Sequence, residues 1–144
     1  MIKVLIDTDV ILDFFFDRKP FSDEASVILS LCEQGEIQGF VTPVLISNVY
    51  YLLRKTATHE KVIANLKKLL SIIEICNIDK GVVLQALQSE FNNFEVALQN
   101  FSARNQAEIK LIITRNTKDY KTSLLSILTP NAYLKALEIY KDSQ

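Results

Sequence analysis

Two cysteines and a single histidine are too few, and too scattered, to build a zinc site. Cys32 and Cys76 form no C-x-x-C pair, which points to two buried, reduced thiols in a cytoplasmic protein rather than a disulfide framework. Three glycines and three prolines in 144 residues exclude long flexible linkers. No internal repeat or low-complexity segment is present. Excess charge of one sign is also missing: 16 Lys and Arg face 17 Asp and Glu. A protein that gripped nucleic acid through bulk charge would be basic, so any such contact must be local or mediated by metal ions. No apolar run is long enough to span a bilayer. The apolar start carries Asp7, Asp9 and Asp13, so neither a signal peptide nor a membrane association is expected.

What is present is a core-forming chain. Apolar residues make up 49% of it, and residues 1–144 have the length of one domain. Short branched runs read as strands: Ile2 to Ile6, Gln38 to Val41, Ile72 to Cys76, Leu111 to Ile113 and Ser126 to Leu128. Helices are expected between them. Thr8 or Asp9 caps a helix over Val10 to Phe16, and Ser22 caps the next, which Gly35 ends. Thr42-Pro43 opens a helix over Val44 to Lys55 that is apolar almost all round and so should be largely buried. Thr58 opens a helix through Leu70, Asp79 one over Val82 to Ser89, Asn93 one from Phe94 to about Ala107, and Thr129-Pro130 a last one through Tyr140. The alternation predicts a three-layer α/β/α fold around a short, mostly parallel sheet of about five strands. Ligands of such sheets bind outside the carboxyl ends of the strands.

Asp7 directly follows the first strand, and Asp119 follows the Leu111 to Ile113 strand by a few residues. In a parallel sheet both face one edge. Two carboxylates in one cleft repel, and a divalent cation relieves the repulsion. Hard oxygen ligands with open positions select Mg²⁺ or Mn²⁺. Such an ion could polarise a phosphodiester and lower the pKa of a bound water. The plain structural alternative makes Asp7 a helix cap and Asp119 a loop residue.

These segments resemble the PIN domain, a small α/β nuclease fold common among prokaryotic toxin-like ribonucleases. Val4-Leu5-Ile6-Asp7-Thr8-Asp9-Val10-Ile11-Leu12-Asp13 is similar to its opening signature, in which the first Asp is a metal ligand. Arg18-Lys19-Pro20-Phe21-Ser22 and Ser47-Asn48-Val49-Tyr50-Tyr51-Leu52-Leu53-Arg54-Lys55 resemble one bacterial subgroup. Ile113-Thr114-Arg115-Asn116-Thr117-Lys118-Asp119-Tyr120 resembles the late signature, whose Asp is a second acidic site residue, and Leu128-Thr129-Pro130 also fits. The resemblance implies a metal-dependent ribonuclease, and often a toxin that pairs with a small antitoxin-like protein and forms a homodimer.

The sequence departs from that pattern at two places. Asn48 stands where the family usually has an acid, bringing an amide oxygen but no charge. Val96 stands where an Asp is common in the first turn of the helix before the Leu111 strand. Glu95 is adjacent, though neighbouring helix residues point about 100° apart. Asp9 is a candidate helper ligand, and Asn93 replaces an acid often seen there. The expected catalytic set is Asp7, Asp119, Asn48 and Glu95, with Asp7, Asp119 and Asp9 as metal ligands. Weak cation binding and reduced or absent cleavage are expected.

Thr114, Arg115, Asn116 and Lys118 surround Asp119 and are the expected contacts to the phosphates of RNA. Phe14-Phe15-Phe16 cannot all be buried from one helix face, so part of the run could meet a partner peptide or a second copy, or pack in the core. The main alternative is a catalytically inactive PIN-fold module that binds RNA or a protein. A haloacid-dehalogenase-type phosphatase, suggested by the D-x-D opening, lacks the acidic pair it needs after the Leu111 strand.

Overall fold

The computed structural model describes residues 1–106 and 108–142. Five strands, β1 (Ile2–Ile6), β2 (Ile37–Val41), β3 (Glu74–Ile75), β4 (Ile109–Ile113) and β5 (Ser126–Leu128), form one sheet in the order β3-β2-β1-β4-β5. Every pairing is parallel. The helices are α1 (Thr8–Phe15), α2 (Phe21–Glu33), α3 (Pro43–Leu53), α4 (His59–Leu70), α5 (Lys80–Gln88), α6 (Phe94–Asn105) and α7 (Pro130–Asp142). A 3-10 turn, Thr117–Tyr120, links β4 to β5.

The period-two alternation of β1 divides the core. Val4 and Ile6 pack with residues of α1, α2, α3, α4 and α7 on one face. Leu5, with Phe40 and Ile112, packs under Val96, Ala103 and Tyr120 on the other. Helices thus cover both faces, as a wholly parallel sheet requires. The strand order reverses direction between β1 and β4, so the chain leaves these neighbours toward opposite sides and opens a crevice at their carboxyl ends.

Most expected elements form, with instructive shifts. Asp7, not Thr8 or Asp9, is the N-cap of α1, its carboxylate accepting the Thr8 N–H. The cap of α2 is Pro20, which supplies no side-chain bond, and Ser22 lies buried inside the first turn. Strand β3 shrinks to two residues because the Ile72 and Ile73 N–H groups bond back to the Leu69 carbonyl at the end of α4. β4 starts two residues before the expected run, Lys110 being exposed on its surface. The expected end of α6 at Ala107 lies outside the described residues.

The expectation that α3 is largely buried is incorrect. Only Leu45, Val49 and Leu53 are buried, a single stripe at i, i+4, i+8 that meets the core. The remaining apolar residues are half-open, and Tyr51 is 67% exposed. Apolar composition alone does not say how many sides of a helix have a neighbour. Both cysteines are free and buried, as expected.

Gly39 of β2 is required by a close approach. A Cβ there would lie 2.7 Å from Cys32 Sγ of α2 and 3.1 Å from Ile6 Cδ1. Gly39→Ala should therefore lower stability by about 1–3 kcal/mol through overpacking. In urea denaturation the double substitution G39A/C32A should lose less than the sum of the two single losses. Simple additivity would show that this contact does not set the helix-to-sheet spacing.

Candidate active site

At the crevice, β1 and β4 pair with Ile6 opposite Ile113, and the Asp7 N–H continues the ladder to the Ile113 carbonyl at 3.0 Å. That register sets Asp7 beside Thr114. The Thr114 hydroxyl donates to Asp7 Oδ2 at 2.8 Å, and Asp9 Oδ2 lies 3.4 Å from the same hydroxyl. From α6, Gln99 Nε2 donates to Asp7 Oδ1 at 2.5 Å and to the Tyr120 hydroxyl at 2.9 Å. The Gln99 carbonyl oxygen faces the Thr42 hydroxyl at 3.4 Å. Gln99, Thr42 and Thr114 are fully buried, so these bonds fix Asp7 rigidly. Burial, then the Asp7 charge, pushes the Tyr120 hydroxyl well above its usual pKa, keeping it a neutral partner.

A cleft of about 220 Å³ opens above this junction, lined by Asp7, Thr8, Asp9, Leu12, Arg18, Asn93, Glu95, Val96, Asn116 and Asp119. Asp7 and Asp119, distant in sequence, thus share one rim. Asn116 Nδ2 donates to Asp119 Oδ2, holding that exposed carboxylate at the mouth. Glu95 does reach the cleft: its carboxylate accepts the Thr8 hydroxyl at 2.9 Å. Val96 stands beside it, 7% exposed, its side chain part of the apolar cluster with Leu5 and Ile112. Asn93 caps α6 by accepting the Val96 N–H.

Asp9 carries the clearest sign of an incomplete site. Its Oδ2 accepts the Arg115 N–H at 3.1 Å, but its Oδ1 is buried and accepts no hydrogen bond. Burial, and next the Asp7 charge, raises the Asp9 carboxyl to about 6. A cation would offset both effects. Among the described residues no three acidic, His or Cys side chains form a ready-made metal cage. The donor set therefore suits an ion that takes one or two carboxylates and fills its remaining positions with water or substrate oxygen, as Mg²⁺ does.

Of the expected residues, Lys118 lines a neighbouring depression rather than the cleft, and Asn48 and Arg115 lie elsewhere. Asn48, half-buried on α3, does not line the cleft. Arg115 is committed to Asp13: its Nε and Nη2 bind the two carboxylate oxygens at 2.6 and 3.0 Å, and its guanidinium stacks on Phe21 at 4.0 Å. Asp13 is 1% exposed, so this bidentate pair pins α1 to the loop after β4. Gln99, Asp13 and Arg18 were not singled out by sequence reasoning. An amide mid-helix or an acid in the second turn of α1 carries no local mark of such distant pairings.

A parallel α/β domain with buried carboxylates at its topological switch point is the class these observations define. The chain belongs to the PIN domain family, whose sequence model matches residues 3–118. Among solved structures, a chain of a Klebsiella pneumoniae toxin-antitoxin complex is similar at 23% identity and TM-score 0.67, covering 88% of this chain and 97% of that one. A chain of VapBC2 from Rickettsia felis, bound to a DNA fragment from its promoter, matches at 16% identity, TM-score 0.63 and the same coverages. A chain of DNA-bound VapBC from Salmonella typhimurium matches at 11% identity and TM-score 0.60, covering 89% and 97%. At these identities the likeness is one of fold. No match is found among curated proteins.

The raised Asp9 pKa has a signed consequence. Between the ordinary value of 3.8 and about 6 the unfolded chain releases this proton while the folded protein keeps it. Stability from this group is thus complete below about pH 4 and lost as pH rises to 6. Asp9→Asn should be more stable than wild type at pH 7, by about 2–3 kcal/mol, and equal to it near pH 4, in paired urea titrations. An Asn variant no more stable at pH 7 contradicts the assigned strain.

Proposed function

We propose that this protein is a divalent-metal-dependent endoribonuclease whose cation binding is weak. The observation that carries the reading is the Asp7–Asp9 pair, held at the β1/β4 switch point by the Thr114 hydroxyl with one Asp9 oxygen left without a partner. Membership of the PIN family supports hydrolysis of RNA phosphodiesters, as do the acidic groups at the cleft mouth. Asp7 and Asp9 would hold Mg²⁺ or Mn²⁺, with Asp119 and Glu95 at the rim. The ion supplies charge neutralisation for the attacked phosphate. Gln99 and Thr114 keep Asp7 in place, and Tyr120, held neutral, supports Gln99. Asn116 orients Asp119. Lys118, exposed beside it, and Thr114 and Asn116 at the strand end remain the proposed contacts to substrate phosphate. Arg115 acts instead by anchoring α1.

A second reading, a PIN-fold module that binds RNA or a protein without cutting, is favoured by one observation. Val96 closes with hydrocarbon the wall beside Glu95, where another oxygen would complete the cage. A protein partner is also part of our reading. An apolar groove of about 520 Å³ runs between α1, α2 and α4, lined by Phe14, Phe15, Leu29, Leu69 and Ile72, with Glu33 and Lys68 at its edges. It suits an amphipathic segment of an antitoxin-like protein, in keeping with the toxin-antitoxin complexes among similar structures. The open side of α3, with Tyr51 exposed, is our candidate for self-association. Among the described residues no helix is long and apolar enough to cross a membrane.

In a gel assay with Mn²⁺ and single-stranded RNA, wild type should cleave slowly. Asp7→Asn should lower the rate roughly a hundredfold. Val96→Asp should raise it about tenfold, as about 1.4 kcal/mol of added carboxylate interaction implies, while lowering stability because the side chain joins the apolar cluster. Binding of RNA without cleavage, in wild type and V96D alike, would favour the second reading.

A further inference from the structure

Asp9 and Asp13 lie four residues apart on α1 and so share one face of that helix. A single residue of the loop after β4, Arg115, holds both. Its main-chain N–H donates to Asp9 Oδ2 at 3.1 Å, while its Nε and Nη2 donate to Asp13 Oδ2 and Oδ1 at 2.6 and 3.0 Å. Asp13 is buried, and the Phe21 ring lies 4.0 Å from the guanidinium, so the fork is held at its end and on its face. Arg18 adds a second cation to Asp13 at 3.6 Å, and its main-chain N–H bonds the Asp13 carbonyl at 3.0 Å. The grip on Asp13 sets the distance between α1 and the loop, and so keeps the Arg115 N–H on Asp9.

An ionised carboxylate has about four acceptor positions, two on each oxygen. On Asp7, Oδ1 accepts the Thr8 N–H and Gln99 Nε2, and Oδ2 accepts the Thr114 hydroxyl. On Asp9, Oδ2 accepts the Arg115 N–H and faces the Thr114 hydroxyl at 3.4 Å, while Oδ1 accepts nothing. What remains is one position on Asp7 Oδ2 and the whole of Asp9 Oδ1. Neither carboxylate has both oxygens free for one ion. Mg²⁺ and Mn²⁺ suit single-oxygen ligands with water in the other positions, whereas Ca²⁺ takes about six to eight oxygens and often both of one carboxylate.

We propose that Arg115 is a positioning residue that makes the cation site selective for small divalent ions: locked on Asp13, it occupies one oxygen of Asp9 and leaves only the other for the ion. The inference rests on the Asp7–Asp9 cation reading above and adds to it the choice of metal. Arg115 acts here through Asp9, without touching ion or substrate. Its partner Asp13 belongs to the same device, since a lone charge at position 115 could not bridge two oxygens.

The test is calorimetric titration of the full chain with Mn²⁺ and, separately, with Ca²⁺, in the absence of RNA. Wild type should bind Mn²⁺ more tightly than Ca²⁺. Arg115→Lys keeps the charge but not the fork, and should weaken Mn²⁺ binding about tenfold. Ca²⁺ binding should fall less, because a released Asp9 can offer both oxygens, so the preference narrows. D13N should act alike, and the double variant D13N/R115K should lose no more than R115K alone. Thermal melts without metal report the fold of each variant. G39A, destabilised outside the cleft, should keep the wild-type preference. Phe21→Ala removes the ring beside the guanidinium at an exposed position and should narrow the preference by less; it decides the question if R115K does not fold. If wild type prefers Mn²⁺ and R115K, or F21A in its place, keeps that preference, Arg115 is a structural anchor only and the cation reading survives. Equal wild-type affinity for the two ions overturns the selectivity in the same way. If wild type binds neither ion, both readings fail.

Discussion

The parallel pairing of β1 with β4 is the constraint on which the site depends. It places Ile6 opposite Ile113, so the first residue past each strand, Asp7 and Thr114, meets across the crevice. A one-residue slip would turn Thr114 away and bring Ile113 toward Asp7, burying a carboxylate against hydrocarbon. The apolar alternation of β1, which splits Val4 and Ile6 from Leu5 between two cores, holds that register. Fold and site are therefore specified by the same few residues.

Around that meeting point the structure separates two kinds of buried charge. Asp13 is paired with Arg115, and at 3.6 Å with Arg18, and serves to fasten α1. Asp7 is satisfied by neutral donors from three elements, Thr8, Gln99 and Thr114. Among the described residues, Asp9 is the carboxylate that retains a buried oxygen without a partner, and its carboxyl resists ionisation. Local cost of this sort concentrates at sites that await a ligand. On the proposed reading, hydrocarbon at Val96 leaves the geometry of the site intact and weakens its hold on a cation.

Much of this was legible in the sequence because it is local. Strands followed at once by Asp or Thr, Thr-Pro helix starts and helical spacing of apolar residues gave five parallel strands and placed Asp7 and Asp119 at one edge. What stayed hidden depends on partners far along the chain. Gln99 reads as one polar residue of a weakly amphipathic helix, yet it bonds Asp7 across 92 positions. Arg115 reads as a phosphate contact until Asp13, 102 positions earlier, is seen to hold it, and the arginine that lines the cleft is Arg18. The burial of α3 was overestimated because composition does not count neighbours. Glu95 entered the cleft through the Thr8 hydroxyl, a contact that helix geometry alone did not indicate.

Anomalous diffraction from a crystal soaked in Mn²⁺ is the most direct measurement of the central claim, that the Asp7–Asp9 pair is a cation site. The account predicts a partially occupied peak within ligand distance of Asp7 and the open Asp9 oxygen, completed by water. Absence of any peak there at saturating Mn²⁺, or a peak only at other carboxylates, would contradict it.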